Sequence, residues 1–357
     1  MNKQHYIGIM SGTSMDSIDV VLCRIDKQEC TLLGSLEYPF PAGLKEEILK
    51  ALNAQTTLSQ TGSLHIELGE LFAEAVNHLL KCYTIDPQSV TAIGSHGQTL
   101  WHEPDTAYPF SMQLGDPSTI AVRTRIPVVA DFRSKDIALG GQGAPMAPAF
   151  HRFLFGQENQ SISVVNIGGM ANITVLDTPL LGYDTGCGNV LMDIWTAKHL
   201  NEKYDKDGAW ARSGKVSYAL LDKMLQEPYF DQPYPKSTGR EKFNEAWLQT
   251  RLRDTSVPPV DIQRTLLELT AVSISNEVLK FNKDILLLCG GGAKNSFLAE
   301  RLAILMPNIQ ILIAQDADML EAMMMAWLAY KRIHNEHVNL KEVTGAKENG
   351  ILGGIYL

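Results

Sequence analysis

The sequence predicts an α/β protein built from two domains, on three observations. Strand-like runs alternate with helical patterns, glycine-rich turns stand at strand ends, and one strand–turn–strand pattern occurs twice. The repeat sets "IGIMSGTSMDSIDVVL" (residues 7–22) beside "VVNIGGMANITVL" (residues 164–176). Both read apolar run, glycine turn, methionine, polar pair, apolar run, as one hairpin per domain would after a duplication. A chain of 357 residues, 45% hydrophobic and 20% charged, is long enough for two domains.

The elements follow in order. "YIGIM" and "DVVLCRI" read as strands rich in β-branched residues. A helix is expected near 63–83, where Leu64, Leu68, Leu71, Phe72, Ala75, Val76, Leu79 and Leu80 share one stripe. "VTAIGS" and "PVVAD" are short strands, ending at "HGQT" and "FR". Glycine then concentrates in "ALGGQGAPMAP", residues 138–148, read as a crossover between domains. A second series opens at "SISVVNIGGMANITVLD", with helical patterns near 188–204, 214–227, 243–253 and 260–282. Strand "DILLLC", turn "GGGAKN", a helix from about 296, strand "IQILI" and a helix over about 317–335 complete it. The division expected is 1–135 and 136–330, with 330–357 packing back on the first domain.

Composition excludes several classes. The balance of 31 basic and 40 acidic residues, net −9, with no basic run longer than two, argues against nucleic acid as a partner. No apolar run is long enough to span a bilayer, and the N-terminus lacks a secretory core. Five cysteines without a CxxC read as reduced thiols of a cytoplasmic protein. None of the nine histidines forms HxxxH or HExxH, so a zinc site is not expected.

Four stretches carry candidate chemistry. The loop Gly12, Thr13, Ser14, Met15, Asp16, Ser17, Ile18, Asp19 lacks the P-loop spacing, but a glycine hairpin can still turn N–H groups and hydroxyls toward a phosphate. Its carboxylates make sense if Mg²⁺ mediates, held by Asp16 or Asp19 directly or through water. The structural alternative has Asp16 closing a tight turn and Asp19 pairing with a cation elsewhere. In "GYDTGCGN", Asp184 precedes two glycines and a helical pattern whose N-terminus could donate to an anion. Asp184 could serve as a general base, or Asp184 or Asn189 as a helix cap. "CGGGAKNSFL" follows a buried strand, and its bare backbone suits a flat ring; the GxGxxG spacing is missing, against a Rossmann site. "SHGQTLWHEP" and "ADFRSKD" place His96, Gln98, Thr99, His102, Asp131, Arg133 and Asp136 at strand ends, the convergent polar groups of a sugar site. Arg133 could clamp a carboxylate with its planar fork. His102 reads as an ordinary loop histidine, and the methionines of "DMLEAMMMAW" as core. Glu321, a carboxylate in that apolar stretch, needs a partner.

In this order, "GTSMDSID", "SHGQT", "DFR", "GGQGAP", "VNIGGMANIT", "DTGCGN" and "GGGAKN" resemble the anhydro-N-acetylmuramic acid kinase family across nearly the whole chain. The resemblance implies two RNase H-like (actin-like ATPase) domains flanking a nucleotide cleft, a homodimer, and use of ATP and water to open and phosphorylate an anhydro sugar in cell-wall recycling. Carried over, Gly12–Asp19 form the first phosphate loop. Gly168, Gly169 and Asn172 belong to the second, and Gly290, Gly291 and Gly292 lie under the adenine. Asp184 takes the position of the catalytic base, while His96, Gly97, Gln98, Thr99 and Arg133 line the sugar side. Two positions depart from the family pattern: Cys187 stands where proline is expected and Ser17 where glycine is. The first would set a thiol beside the site.

The mechanism implied is attack of an Asp184-activated water on C1 while O6 leaves and takes the γ-phosphoryl group, with domain closure excluding bulk water. Two rivals are another sugar or short-chain acid kinase of the same superfamily and a sugar-sensing regulator. Labelled water at C1 separates the first. An added DNA-binding domain would mark the second.

Overall fold

The strand pattern read twice in the sequence becomes two sheets with the same order of strands. The structure is a computed structural model and describes residues 4–12, 15, 17–156, 161–253 and 255–357. The chain divides into one unit of Met1–Leu154 with Met319–Leu357, and a second of Phe155–Asp318.

The first unit opens with β1 (Gln4–Ser11), β2 (Ile18–Ile25) and β3 (Cys30–Tyr38), an antiparallel meander. Then come β4 (Val90–Ser95), a separate hairpin of β5 (Gln98–Glu103) and β6 (Phe110–Leu114), and β7 (Val128–Ala130). β4 and β7 join parallel to β1, giving the order β3-β2-β1-β4-β7. The C-terminal strand Gly354–Tyr356 closes the edge against β7.

Side chains alternate across a strand. Ile7 and Ile9 therefore join the core under the helix Leu58–Cys82, whose predicted stripe from Leu64 to Leu80 is buried throughout. That helix starts earlier than its apolar period, because Thr57 and Gln60 form a reciprocal capping box ahead of a polar first turn. On the other face the helix Leu320–Ile333 lies on β1, β4 and β2. Ala322 through Tyr330 are all buried, as a helix apolar on every side requires. Gly8 and Gly94, register partners on β1 and β4, form the trough that admits it. A β-carbon on Gly8 would stand 1.9 Å from the Ala322 carbonyl oxygen, and one on Gly94 1.9 Å from that of Met325.

The second unit repeats the plan. β8 (Ile162–Ile167), β9 (Met170–Val175) and β10 (Leu181–Cys187) form the meander. β11 (Ile285–Cys289) and β12 (Gln310–Ile313) add parallel, in the order β10-β9-β8-β11-β12. The helix Pro259–Val278 packs on β9 and β10 and anchors this core. Two units sharing one 3-2-1-4-5 order are the paired RNase H-like architecture.

Several expectations change. Residues 138–148 are no crossover: Asp136 is buried and accepts from the Gly143 N–H and the Thr344 hydroxyl, both at 2.8 Å, which ties the segment inside the first unit. The chain passes between units at the last residue of the helix Ala147–Phe155 and again before Met319, rather than near 135 and 330. The four predicted helices of the second unit shorten to Val190–Leu200, Tyr218–Leu225, Glu245–Arg251 and Pro259–Val278. "ILLLC" and "QILI" are strands as read. β3, the β5–β6 hairpin and β10 carry no clean alternation and went unread.

Candidate functional site

Each unit gathers its own share of the candidate residues. In the first, the described part of the candidate loop Gly12–Asp19 begins where β1 ends. Gly12 accepts a hydrogen bond from the Met15 N–H at 3.2 Å, and Met15 is buried with a left-handed backbone (φ 53°). Thr13, Ser14 and Asp16 lie outside the described residues. Ile18 opens β2 as core, and the Ser17 hydroxyl donates to Asp19 Oδ1 at 3.1 Å. Asp19 stands directly opposite Glu37 on β3. A carboxylate such as that of Asp19 supplies the hard oxygen donors that Mg²⁺ takes. Among the described residues, no group of three or more His, Cys, Asp or Glu side chains could hold a metal ion.

The "SHGQT" residues reach this loop. The Ser11 hydroxyl donates to Gln98 Oε1 at 2.6 Å in a buried contact, and the His96 N–H donates to the Ile9 carbonyl at 3.2 Å. Thr99 Oγ1 accepts from Gln113 at 3.5 Å. Arg133 turns onto the same group, its Nε and Nη2 at 3.3 and 2.9 Å from His96 Nε2, its Nη1 donating to the Gly143 carbonyl at 3.0 Å. A guanidinium only donates, so His96 Nε2 accepts and the proton sits on Nδ1, 2.8 Å from the Gly97 carbonyl. Burial, helped by the Arg133 charge, lowers the His96 pKa to about 3, so the ring is neutral. Burial also lowers Arg133 to about 10, opposed by Glu321. Among the described residues, three of the five N–H groups of Arg133 are thus engaged and two make no hydrogen bond. Glu321 is exposed on the first turn of its helix, where a carboxylate suits the dipole. His102 lies on β5 opposite Ser111, with Nδ1 3.0 Å from that hydroxyl, and is exposed.

In the second unit, register does the assembling. Asp184 pairs with Asn172, Asn172 with Asn166, and Asn166 with Cys289, one row across β10, β9, β8 and β11. Three strand spacings of about 4.8 Å separate Asp184 from the glycines that follow Cys289. Gly290 has φ 77°, and a β-carbon on it would lie 2.2 Å from Asn166 Oδ1. Gly291 and Gly292 begin a short 3₁₀ turn before the helix Ser296–Leu305.

The helix N-terminus after Gly188 is less open than expected. The N–H groups of Gly188, Asn189 and Val190 donate to the carbonyls of Gly169, Gly168 and Gly169, at 2.9, 2.8 and 3.2 Å. These donors brace the Gly168–Gly169 turn. Asn189 is the cap residue by position but makes no side-chain capping bond. Asp184 is no cap, since it lies within β10.

A segment missed in the sequence surrounds Asp184. The Lys236 carbonyl accepts from the Asp184 N–H at 3.0 Å, and the Tyr229 hydroxyl donates to the Asp184 carbonyl at 2.7 Å. The Ser237 hydroxyl and the Thr238 N–H both donate to Asp184 Oδ2 at 3.0 Å. Among the described residues Oδ1 accepts nothing. Burial raises the Asp184 pKa, those two donors lower it, and Glu241 raises it; the net direction is upward. The segment is pinned by Lys236, whose ammonium meets Glu277 at 2.7 Å with side chains 2% and 3% exposed. Burial works against the Glu277 charge, but bonds from Lys236, Lys280 and Tyr183 outweigh it and hold its pKa down. "KSTGR", a cluster of basic and hydroxyl residues beside glycine, was the available signal. Cys187 is buried and its thiol is pushed up to about 12 by that burial, so no reactive thiolate stands there.

Twin RNase H-like units, each ending its hairpin in a glycine turn, with a held carboxylate in one and a polar sugar-type cluster in the other, define a phosphotransferase of the sugar-kinase type. A family model described as anhydro-N-acetylmuramic acid kinase matches residues 4–357, and the chain belongs to that family. A protein of Sulfurovum sp. (strain NBC37-1) named anhydro-N-acetylmuramic acid kinase is 69% identical over 359 residues, covering 100% of both chains. One of the same name from Sulfurimonas denitrificans is 49% identical over 366 residues, covering 99% of this chain and 100% of its own. Among solved structures, a ROK family glucokinase from Streptomyces griseus in complex with glucose and AMPPNP aligns with a TM-score of 0.42 at 13% identity, over 92% of this chain and 99% of that one. Among the described residues no helix is long and apolar enough to cross a membrane.

Proposed function

We propose that this chain converts 1,6-anhydro-N-acetylmuramic acid, ATP and water to N-acetylmuramic acid 6-phosphate and ADP, a step in reuse of cell-wall peptidoglycan. Family membership over the whole chain supports the substrate class. The observation that carries the chemistry is the Asp184 carboxylate: one oxygen is held by two donors, the other is open, and its pKa is raised toward the range of a working base.

The step balances as follows. Asp184 takes a proton from water as the water oxygen bonds to C1. The C1–O6 bond breaks and its electron pair goes to O6. O6 bonds to the γ-phosphorus, and the bond to the leaving oxygen of ADP breaks with its pair going to ADP. The centre at C1 is oxocarbenium-like, so the charge of Asp184 also favours it. His96, Gly97, Gln98, Thr99 and Arg133 are the sugar-side residues, and the two spare N–H groups of Arg133 suit the lactyl carboxylate. Gly12 to Asp19 serve as the first phosphate loop and Gly168, Gly169 and Asn172 as the second, with Gly290 to Gly292 under the adenine. Mg²⁺, for which Asp19 and Asp16 are the ligands directly or through water, would neutralise charge on the nucleotide's phosphates. The five cysteines are free thiols, in keeping with a cytoplasmic setting. A homodimer follows from the family resemblance alone.

The test is ADP release by the purified protein with Mg²⁺-ATP and each of three sugars. Release is expected with the anhydro sugar and not with glucose or ring-opened N-acetylmuramic acid, with a product of the mass of the 6-phosphate. Equal release with glucose would assign an ordinary sugar kinase instead.

A further inference from the structure

The second glycine turn presents a backbone donor, the Gly169 N–H. A peptide's C=O and N–H point in opposite directions. The Gly168 carbonyl points at the Asn189 N–H, 2.8 Å away, so the Gly169 N–H in the same peptide points away from that helix. Among the described residues this N–H makes no hydrogen bond. A β-carbon on Gly169 would stand 3.7 Å from Arg240 Nη2 and 3.9 Å from Arg240 Nε, and, its chain neighbours aside, would meet nothing else within 4 Å. Arg240 is exposed, and among the described residues its guanidinium makes no hydrogen bond or ion pair. Arg212, Arg251 and Arg301 in the same unit are each engaged by a glutamate.

Arg240 also sits two residues beyond Thr238, on the segment that holds Asp184. That segment is fixed at Lys236 by the buried Glu277 contact and beyond Arg240 by Asn244, whose side-chain amide donates to the Arg240 carbonyl at 3.0 Å. Its backbone is therefore anchored on both sides of the guanidinium.

We propose that Arg240 and the Gly169 N–H form a seat for the equatorial oxygens of the transferring phosphoryl group, making Arg240 a catalytic residue supplied by the same segment that positions the base. This rests on the reading of residues 168–172 as a phosphate turn. A planar guanidinium close to Gly169 and a backbone N–H of the same residue are the donor types a phosphate takes, and both gain strength as charge spreads over the phosphoryl oxygens. One segment then governs both the deprotonation of water and the phosphoryl transfer, which keeps the two events in step.

Arg240→Ala and Arg240→Gln test it, with Asp184→Asn in parallel. Arg240→Ala is expected to lower kcat about 10²–10³-fold, the usual cost of one transition-state donor. ADP affinity should stay within about threefold, while trapping of ADP with aluminium fluoride, a mimic of the flying phosphoryl group, is lost. Millimolar guanidinium should restore part of the turnover of Arg240→Ala. Arg240→Gln, which keeps the length but not the charge, should behave like Arg240→Ala. Turnover within about threefold of the parent in both variants overturns the proposal, as does an equal loss of ADP and ADP–fluoride binding. If Arg240→Ala is active and Asp184→Asn is dead, only the role of Arg240 fails; if both are active, the site reading fails as well.

Discussion

Asp184 has three polar groups, and all three are held by residues 229–238, some fifty positions further along the chain. The motif "DTGCGN" pointed to the carboxylate, but its partners come from a distant loop that sequence spacing does not encode. Two expectations belong here. Asp184→Asn should cut turnover about 10²–10⁴-fold with nucleotide binding kept, as loss of a general base does; a fluorescent ATP analogue and steady-state rates measure both. Ser237→Ala removes a bond that favours the charged carboxylate, so the Asp184 pKa rises further. A base works only when deprotonated and loses activity as pH falls through its pKa. The acid limb of the kcat/KM profile should therefore move to higher pH in Ser237→Ala, with turnover on the alkaline side little changed. An unmoved limb would separate Ser237, or Asp184, from the titrating group. Cys187 makes the converse point: the thiol that the sequence sets beside the site is buried and protonated.

At the scale of elements, strands and helices with a clean period were legible. The stripe from Leu64 to Leu80 and the runs "VTAIGS" and "ILLLC" needed only alternation or 3.6-residue spacing. β3 was not legible, since it is an edge strand of mostly half-exposed residues held by pairing with β2 and by Tyr83, whose hydroxyl bonds both backbone groups of Ser35 from far along the chain. The methionines of the helix Leu320–Ile333 are core as read, but the glycines beneath them carried no such signal. Gly8 and Gly94 lie side by side and allow helix backbone onto the sheet. Gly8→Ala or Gly94→Ala must push that helix outward, a shift that overpacking data put at about 1–3 kcal/mol or more. Thermal melting should fall for either variant. An unchanged melting temperature would mean the helix does not rest on these strands.

For the whole molecule, the repeated plan was legible because two hairpins preserve one pattern of apolar run, glycine turn and methionine. The return of the C-terminal segment to the first unit was read too, but not its bounds, because the contacts that draw Met319–Leu357 back are distant in sequence. The central claim is that one protein joins hydrolysis of an acetal to phosphorylation of the oxygen it releases. Turnover of the anhydro sugar with Mg²⁺-ATP in ¹⁸O water, quenched early and read by mass spectrometry, tests this most directly. The account predicts one ¹⁸O on C1 of the sugar and none in its phosphate. An unlabelled sugar, or label appearing in the phosphate, would contradict it.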